Sequence, residues 1–381
     1  MPRLLSMAVA SALGLGLALP AAAGPMSYTA FDLGTPSAGY TFHYGLNNTG
    51  QVTGYTTNTV DGNRHAFITG HDGRGVRDLG TLGGASSYGT AINNSGQVAG
   101  TSDRAVRGSH AFITGPNGQG MTDLGTLGGP YSQASGINNG GQVTGTAHVN
   151  EDHYHAFITG PNGRGMTDLG TLGGFYSSGY AVNDAGRATG ASYISDQFSI
   201  HAFITGPNGQ GMIDLGTLGG FKSVGYGINN LGQVAGYSYL TDSFTAHAFI
   251  TGANGQGMTD LGTLGGTDSV AFAINNLGQV VGYSEMTGDG VQHAFLSGPH
   301  GRGMFDLNAL VDLPGDAYFY DAWAINDRGQ IVANATDNHA YLLSPFAVLE
   351  PGSGALALAG LGLLGFMARR RKATAPAAAA A

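Results

Sequence analysis

The sequence predicts an all-β protein, a seven-bladed β-propeller of four-stranded blades whose ring is closed by the N-terminal strand completing the last blade. Three observations lead to this prediction. One unit of roughly 46 residues recurs seven times. Each unit holds four short strand-like segments. The last unit lacks its outer strand, and the first strand of the chain, which belongs to no other unit, can supply it.

Three markers recur in fixed order and define the repeat. A His-Ala-Phe or His-Ala-Tyr triplet begins at His65, His110, His155, His201, His247, His293 and His339. An Asp-Leu pair begins at Asp32, Asp78, Asp123, Asp168, Asp214, Asp260 and Asp306. An asparagine after an apolar residue falls at Asn47, Asn93, Asn138, Asn183, Asn229, Asn275 and Asn326.

Turn chemistry divides each repeat into strands. In the second repeat we predict strands, from inner to outer, at 90–92, 97–101, 110–114 and 121–124. The hairpin loops between them, 93–96 and 115–120, are rich in Asn and Gly, which tolerate positive φ. No segment keeps a helical period, which argues against a helical repeat protein.

The phase of the repeat predicts how the ring closes. The chain begins with an Asp-Leu strand near 28–33 and ends with a His-Ala strand at 339–343, so the last unit lacks an outer strand. We expect the strand at Phe31 to complete the sheet that contains His339. Such pairing removes an exposed edge that would invite aggregation.

The N-terminus has the pattern of a secretory signal peptide, 1–23. Arg3 precedes an apolar run at 4–19, and Pro20 and three alanines follow, so we expect signal peptidase to cleave before Gly24. The alternative, a retained membrane anchor, would need about 20 apolar residues.

The C-terminus, 346–381, carries a Glu-Pro pair at 350–351, an apolar run at 355–368 and four cations at 369–372. This tail resembles the PEP-CTERM sorting signal, although Leu349 stands where that signal has its first proline. The resemblance implies processing by exosortase, transient inner-membrane attachment and a Gram-negative background that produces exopolysaccharide. The intervening domain is predicted to span 24–345.

The triplet in its context, for example 110–125, resembles the HAF family of extracellular repeats. The resemblance covers about 320 residues and implies an extracellular setting.

Composition excludes several functions. The chain of 381 residues has no cysteine, so disulfides and thiolate chemistry are excluded. Setting aside the two ends leaves 10 basic and 23 acidic residues, which disfavours a nucleic-acid partner. We expect no cofactor.

The His and Asp of each repeat can be interpreted either as catalytic or metal-binding residues or as a structural pair. In the 110–123 hairpin the two side chains are expected to be diagonal neighbours within hydrogen-bond reach. Because an active site is normally unique, seven equivalent copies favour structural pairs, including one between Asp32 and His339. We therefore predict no catalytic residues and no metal site. The Gly-rich 125–129 segment is expected to be a turn and not a phosphate loop, and nothing supports calcium binding.

Sequence variation concentrates where loops should meet at one end of the ring. Loops between second and third strands, such as 102–109, 148–154 and 195–200, differ between repeats. The inter-blade segments and an insertion at 311–321 supply candidate ligand-binding aromatics: Tyr88, Tyr131, Phe175, Tyr176, Phe221, Tyr318, Phe319 and Tyr320. These side chains either bind a ligand or only wedge the blades apart.

The expected function is a non-catalytic binding or structural protein of the cell surface or extracellular matrix, with extracellular polysaccharide as partner. The alternative is a propeller-type glycosidase or polysaccharide lyase. Its carboxylates would come from the two uneven concentrations of charge, Glu151-Asp152-His153 and Asp316 with Asp321.

Overall fold

The computed structural model describes residues 26–34, 45–58, 60–106, 108–241, 244–288 and 290–347. The predicted signal peptide and the sorting tail from 348 onward lie outside the described residues, and the predicted domain boundaries stay predictions. The chain divides into a compact unit, Tyr28–Pro345, and a second unit made of Met1–Ser27 and Phe346–Ala381. No helix among the described residues is long and apolar enough to cross a membrane.

The described residues form 28 β-strands, which follow the repeats. The first strand is β1 (Met26–Gly34). The first three repeats contain β2 (Gly45–Leu46), β3 (Val52–Thr57), β4 (Arg64–Thr69), β5 (Val76–Asp78), β6 (Gly83–Ile92), β7 (Val98–Arg104), β8 (Ser109–Thr114), β9 (Met121–Asp123), β10 (Ser132–Ile137), β11 (Val143–His148), β12 (Tyr154–Thr159) and β13 (Met166–Asp168).

The later repeats continue the same order. They contain β14 (Gly173–Val182), β15 (Ala188–Ile194), β16 (Ile200–Thr205), β17 (Met212–Asp214), β18 (Gly219–Ile228), β19 (Val234–Leu240), β20 (Ala246–Thr251), β21 (Met258–Asp260), β22 (Gly265–Ile274), β23 (Val280–Met286), β24 (Gln292–Ser297), β25 (Met304–Asp306), β26 (Phe319–Ile325), β27 (Ile331–Ala335) and β28 (Ala340–Ala347).

Short 3₁₀ turns connect the third and fourth strands of most repeats. They lie at His71–Gly73, Pro116–Gly118, Pro161–Gly163, Pro207–Gly209, Ala253–Gly255 and Pro299–Gly301, and a further one lies at Leu307–Ala309. In the second repeat Asn117 has φ of 52° and Gly118 has φ of 67°, so this hairpin uses residues that adopt left-handed backbone at low cost.

The all-β propeller class is confirmed, but the prediction of seven separate four-stranded blades is wrong. Within the described residues there are five four-stranded sheets and one eight-stranded sheet. The four-stranded blades are β2–β5, β6–β9, β10–β13, β22–β25 and the set β1, β28, β27, β26. The fourth and fifth repeats share the eight-stranded sheet, β14–β21.

One parallel pairing joins the fourth and fifth repeats. Ile200 at the start of β16 pairs with Lys222 near the start of β18. The sequence predicts inner strands of only three residues, whereas β18 covers ten, Gly219–Ile228. Its early residues therefore reach the third strand of the preceding repeat. The inner strands β6, β14 and β22 also cover ten residues but make no such pairing, so neither strand length nor the apolar pattern reveals this junction.

β-bulges explain why the inner strands are longer than predicted. In β6 the register shifts between Gly83 and Ser87 and again between Gly89 and Ala91. The first shift places two extra residues in β6 and the second places one, and both interrupt the regular pairing with β7. The side-chain pattern of the segment before residue 90 therefore does not predict a strand, although this segment pairs with β7.

The first strand joins the last sheet, where β1 lies beside β28. Tyr28 is buried, with 4% of its surface exposed, and burial raises its pKa to about 12. Thr29 Oγ1 donates to the carbonyl oxygen of Ser344 at 3.3 Å. His339 Nδ1 lies 2.8 Å from the Asp32 carboxylate. The two ends of the compact unit are thus held together by backbone pairing and by side chains.

A closed cycle of amide hydrogen bonds surrounds the axis. The buried asparagine of each repeat donates through Nδ2 to the backbone oxygen of its counterpart in the next repeat. Across the described residues the cycle runs Asn47, Asn93, Asn138, Asn183, Asn229, Asn275, Asn326 and back to Asn47, at 2.8–3.2 Å. Every repeat therefore contributes to one continuous hub.

The core lies between neighbouring sheets and contains the apolar part of the triplet. Phe112, Phe157, Phe203, Phe249 and Phe295 are all fully buried. Phe203 faces Gly190 on the adjacent strand, where a Cβ atom would collide with its ring and with the carbonyl oxygen of Ser178. The glycine is required by this close approach. The middle strands of a blade are buried between neighbouring sheets, so an isolated repeat would expose its aromatic core.

Candidate ligand-binding site

The inner strands place one variable side chain per repeat around a central cavity. The position three residues before the buried asparagine holds Thr90, Ser135, Tyr180, Tyr226, Phe272 and Trp323 in successive repeats. These six side chains line a cavity of about 320 Å³ together with Thr101, Gln133 and Ala134. We call it the channel cavity.

The channel cavity has two chemically different sides. The ring centroids of Tyr180 and Tyr226 are 5.1 Å apart, and Tyr226 and Phe272 are 5.8 Å apart. Phe272 stacks on Trp323 at 3.9 Å with an angle of 7° between the ring planes. Thr90 and Ser135 supply small hydroxyls on the other side. An aromatic arc thus faces hydrogen-bonding groups, an arrangement that suits a ligand with apolar faces and polar edges.

Two further cavities adjoin the channel cavity, and Tyr180 lines all three. The first, of about 180 Å³, is lined by Tyr154, Tyr176, Ser177, Ser178, Tyr180, Ala191, Tyr193, Ile200, Lys222, Val224, Tyr226 and Tyr237, and we call it the tyrosine groove. The second, of about 290 Å³, is lined by Tyr131, Ser132, Gln133, Ser135, Thr146, His148, Tyr154, Ser178 and Tyr180. The three cavities meet at one tyrosine and form an extended surface.

Burial raises the pKa values of Tyr180, Tyr226 and Tyr237, and at Tyr180 a hydrogen bond with Ser178 and the Lys222 charge offset part of this effect. Phenols are protonated at neutral pH with or without such a shift, so these hydroxyls donate as well as accept hydrogen bonds.

Two of the predicted aromatics line these cavities: Tyr176 in the tyrosine groove and Tyr131 in the cavity of 290 Å³. Phe175 is 54% exposed and lies 5.3 Å from the ring of His153. Phe221 is 45% exposed and contacts Tyr239 and Phe244 at 5.0 and 5.7 Å. Phe175 and Phe221 therefore each belong to a cluster of rings, and both lie on strands and not in loops.

The other predicted aromatics lie elsewhere. Tyr88 packs edge-on against Tyr55 at 4.8 Å, and Tyr318 lies 5.0 Å from His293. Tyr320 is partly buried, and its pKa is raised to about 12 by burial and by the Asp321 charge. Phe319 is fully buried against Tyr341 and is a core residue, so its assignment as a ligand contact is corrected. The insertion folds back because the Asn308 side chain holds both backbone groups of Phe319, at 2.7 and 2.9 Å.

The sequence prediction missed the channel aromatics Tyr180, Tyr226, Phe272 and Trp323. They lie in the inner strands, whereas the predicted candidates came from the inter-blade segments and the insertion. The signal was present, because aligning the repeats on the buried asparagine shows small polar residues in the second and third repeats and aromatics in the other five. A variable position inside a repeated strand marks an environment that the repeats do not share.

The structure brings the His and Asp of each repeat together. Nδ1 lies 2.7–2.9 Å from the carboxylate in all seven described pairs: His65–Asp78, His110–Asp123, His155–Asp168, His201–Asp214, His247–Asp260, His293–Asp306 and His339–Asp32. All seven carboxylates also accept a backbone N–H two residues on, as Asp168 does from Gly170 at 2.7 Å. Each Asp thereby fixes the turn that leaves its sheet. The structural role stays a prediction, and these contacts support it.

A buried carboxylate distinguishes the last repeat. Asp321 is 5% exposed and accepts a hydrogen bond from Asn334 Nδ2 at 2.9 Å. Burial raises its pKa to about 6, although hydrogen bonds from Trp323 and Asn334 act in the opposite direction. Asn334 Oδ1 has no hydrogen-bond partner among the described residues. Within this part of the chain, no group of three or more His, Cys, Asp or Glu is placed to hold a metal ion.

Asp321→Asn is expected to stabilise the protein at neutral pH. Because the folded-state pKa of about 6 lies above the ordinary value of 3.8, stability falls as the pH rises from about 4 to about 6, and the whole loss is present above that range. The shift corresponds to about 3 kcal/mol at pH 7.5 and to almost nothing below pH 4. An amide at this position also offers a donor to Asn334 Oδ1. Urea unfolding at both pH values measures the effect.

Asp316→Asn, which changes an exposed carboxylate in the same insertion, is the control and should leave stability within about 0.5 kcal/mol. Lower stability of Asp321→Asn than of the unmodified protein at pH 7.5 would contradict the account of Asp321.

The fold and the cavities define a β-propeller with an aromatic central site. Residues 350–372 match the PEP-CTERM protein-sorting motif. This confirms the sorting signal predicted at the C-terminus and supports export with a transiently membrane-associated tail. No match was found among curated protein sequences.

Solved structures show similarity in fold. The β-propeller domain of the Trilobed protease from Pyrococcus furiosus has a TM-score of 0.50 and 11% identity, covering 85% of this chain and 93% of that one. Putative TolB from Agrobacterium tumefaciens has a TM-score of 0.45 and 13% identity, covering 71% and 97%. TolB from Acinetobacter baumannii has a TM-score of 0.44 and 12% identity, covering 77% of this chain, which spans 63% of that relative. At such identities the likeness concerns the fold alone.

Proposed function

We propose that the protein is an exported, non-catalytic binding protein of the cell surface or extracellular matrix that holds a polysaccharide in its channel cavity. The observation that carries the proposal is the aromatic arc from Tyr180 to Trp323 facing Thr90 and Ser135 across the cavity. Sugar rings have apolar faces that stack on aromatic side chains, and hydroxyl edges that pair with polar groups.

The lining of the three cavities supports binding without chemistry. No Asp or Glu is among the described residues that line them. Glycoside hydrolysis normally uses two carboxylates across the scissile bond. Asp321 is a single carboxylate enclosed in the core, and Asp316, Glu151 and Asp152 are exposed in loops.

The sorting motif supports the location. Retention at the inner membrane by the tail, followed by cleavage by exosortase after removal of the signal peptide by signal peptidase, would place the propeller where extracellular polysaccharide is assembled.

Affinity electrophoresis tests the proposal. The protein should migrate more slowly in native gels that contain hydroxyethylcellulose or polygalacturonate than in plain gels. Replacing Tyr226 and Trp323 by Ala should weaken retardation about tenfold or more, since each stacking contact is worth about 0.5 to 1.5 kcal/mol.

Phe305→Ala is the matched control, because Phe305 is 53% exposed on the outer strand β25 and does not line the three cavities. It should leave retardation unchanged. Equal retardation of the double variant and the unmodified protein, or no retardation by either polymer, would refute the proposal. Release of new reducing ends from either polymer would instead favour a glycosidase or lyase.

A further inference from the structure

A single lysine lies in the tyrosine groove. The sequence has two lysines, Lys222 and Lys372, and only the first belongs to the described residues. Lys222 Nζ lies 5.6 Å from the ring centroid of Tyr237. Its backbone is fixed by pairing with Ile200, and Ser238 Oγ donates to its carbonyl oxygen at 3.4 Å. The junction of the eight-stranded sheet thus anchors the one amine of this surface.

The Lys222 ammonium group has no counter-ion among the described residues, since none of their carboxylates lies within 4.0 Å of it. The protein as a whole carries a formal net charge of −9. The positive charge of Lys222 in the groove is therefore opposite in sign to the net charge of the protein. Phenols surround Lys222, and a cation over a tyrosine face is favourable. These contacts orient the ammonium group without neutralising it, which leaves it able to pair with an anionic ligand.

We infer that the tyrosine groove takes a polysaccharide that bears carboxylate groups, with a uronate carboxylate paired to Lys222 and sugar faces on the neighbouring tyrosines. This inference rests on the proposed function and names its ligand class. The groove meets the channel cavity at Tyr180 and Tyr226, so one chain can occupy both. A neutral sugar in the channel cavity and an acidic one in the groove would then belong to the same polymer.

The phenols favour this ligand over a purely electrostatic one. Tyr154 and Tyr237 line the same groove as Lys222, and phenols are protonated at neutral pH, so both hydroxyls can donate. A carboxylate at Lys222 would accept hydrogen bonds from such donors as well as from the ammonium group. Charge-assisted hydrogen bonds of this kind are stronger than neutral ones.

The test compares polygalacturonate with its fully methyl-esterified form, which differ only in the charge of the carboxyl groups. Affinity electrophoresis of the unmodified protein should show at least a tenfold preference for the acid. Lys222→Gln should remove most of that preference by weakening binding of the acid, whereas Lys222→Arg should retain it. The preference should also fall at 0.5 M NaCl, because salt screens exposed charges. Thermal unfolding of each variant verifies the fold.

The outcomes separate the two proposals. Equal binding of acid and ester by the unmodified protein, with both weakened by replacing Tyr226 and Trp323, would overturn the role of Lys222 and leave the proposed function standing. A preference for the acid that survives Lys222→Gln would overturn it as well. No binding of acid, ester or hydroxyethylcellulose would overturn both.

Discussion

Deletion of residues 24–34 is expected to abolish the single cooperative unfolding transition of the propeller. The deletion removes β1, so β28 becomes an open edge in the last sheet. It also removes buried Tyr28 and leaves His339 without its Asp32 partner. Because each sheet is stabilised only by its neighbours, one incomplete sheet exposes core on two interfaces.

Thermal unfolding followed by circular dichroism, together with limited proteolysis, measures the effect of the deletion. We expect a broad transition and cleavage near β28. A chain that begins at Gly24 serves as the intact control. Asp32→Ala isolates the side-chain pair and should cost about 1 kcal/mol, since that carboxylate is about half exposed. A sharp transition at unchanged temperature after the deletion would show that β1 does not latch the ring.

Asn93→Ala is expected to lower the free energy of unfolding by about 3 to 5 kcal/mol. The Asn93 side chain accepts backbone N–H groups of Ser95 and Gln97 at 3.1 and 3.0 Å and donates to the backbone oxygen of Asn138 at 3.0 Å. Alanine leaves these groups without partners in a buried hub, and each such group costs about 1 to 3 kcal/mol. It also breaks the cycle of amide bonds between repeats.

Asn94→Ala is the matched control for Asn93→Ala. Asn94 is the adjacent residue and also bridges repeats, because its Oδ1 accepts the backbone N–H of Asn48 at 2.9 Å, but that bond is exposed to solvent. It should cost less than about 1 kcal/mol. Urea unfolding of both variants gives the comparison, and equal losses would mean that the buried cycle does not hold the hub together.

The repeat markers predicted much of the architecture because each marker has one dominant physical role. The asparagine at position 93 caps a turn, the alanine and phenylalanine of the triplet fill the core, and the histidine meets the aspartate of the following strand. The phase of the markers also predicted that the strand containing Phe31 would lie beside the strand that follows His339, and these strands are adjacent in the last sheet.

The sequence could not reveal the eight-stranded sheet. The pairing of Ile200 with Lys222 is one parallel contact between two repeats. The other ten-residue inner strands have the same length and the same bulges without such a contact, so the pattern of apolar residues does not single out the fifth repeat. The number of separate four-stranded blades was therefore overestimated.

The candidate site was only partly predictable. Aromatic residues near the ends of the strands drew attention to Tyr131 and Tyr176, which do line cavities, but also to Phe319, which is core. Whether an aromatic side chain points toward a cavity or toward a neighbouring sheet depends on the local register. A shift of one residue in the strand register reverses the direction in which a side chain points, and the composition of the strand does not reveal that shift.

The cycle of asparagine amides bears on where around the ring the chain can begin and end. Every donor points to the following repeat, including the step from Asn326 back to Asn47, so the hub contains no seam at the place where the polypeptide starts. The seam lies instead at the rim, between β1 and β28. New termini cut into a rim loop of any other repeat, with the old ends linked, would preserve all the axial bonds. The order of the repeats in the sequence is thus one of several circular permutations that are compatible with the same hub.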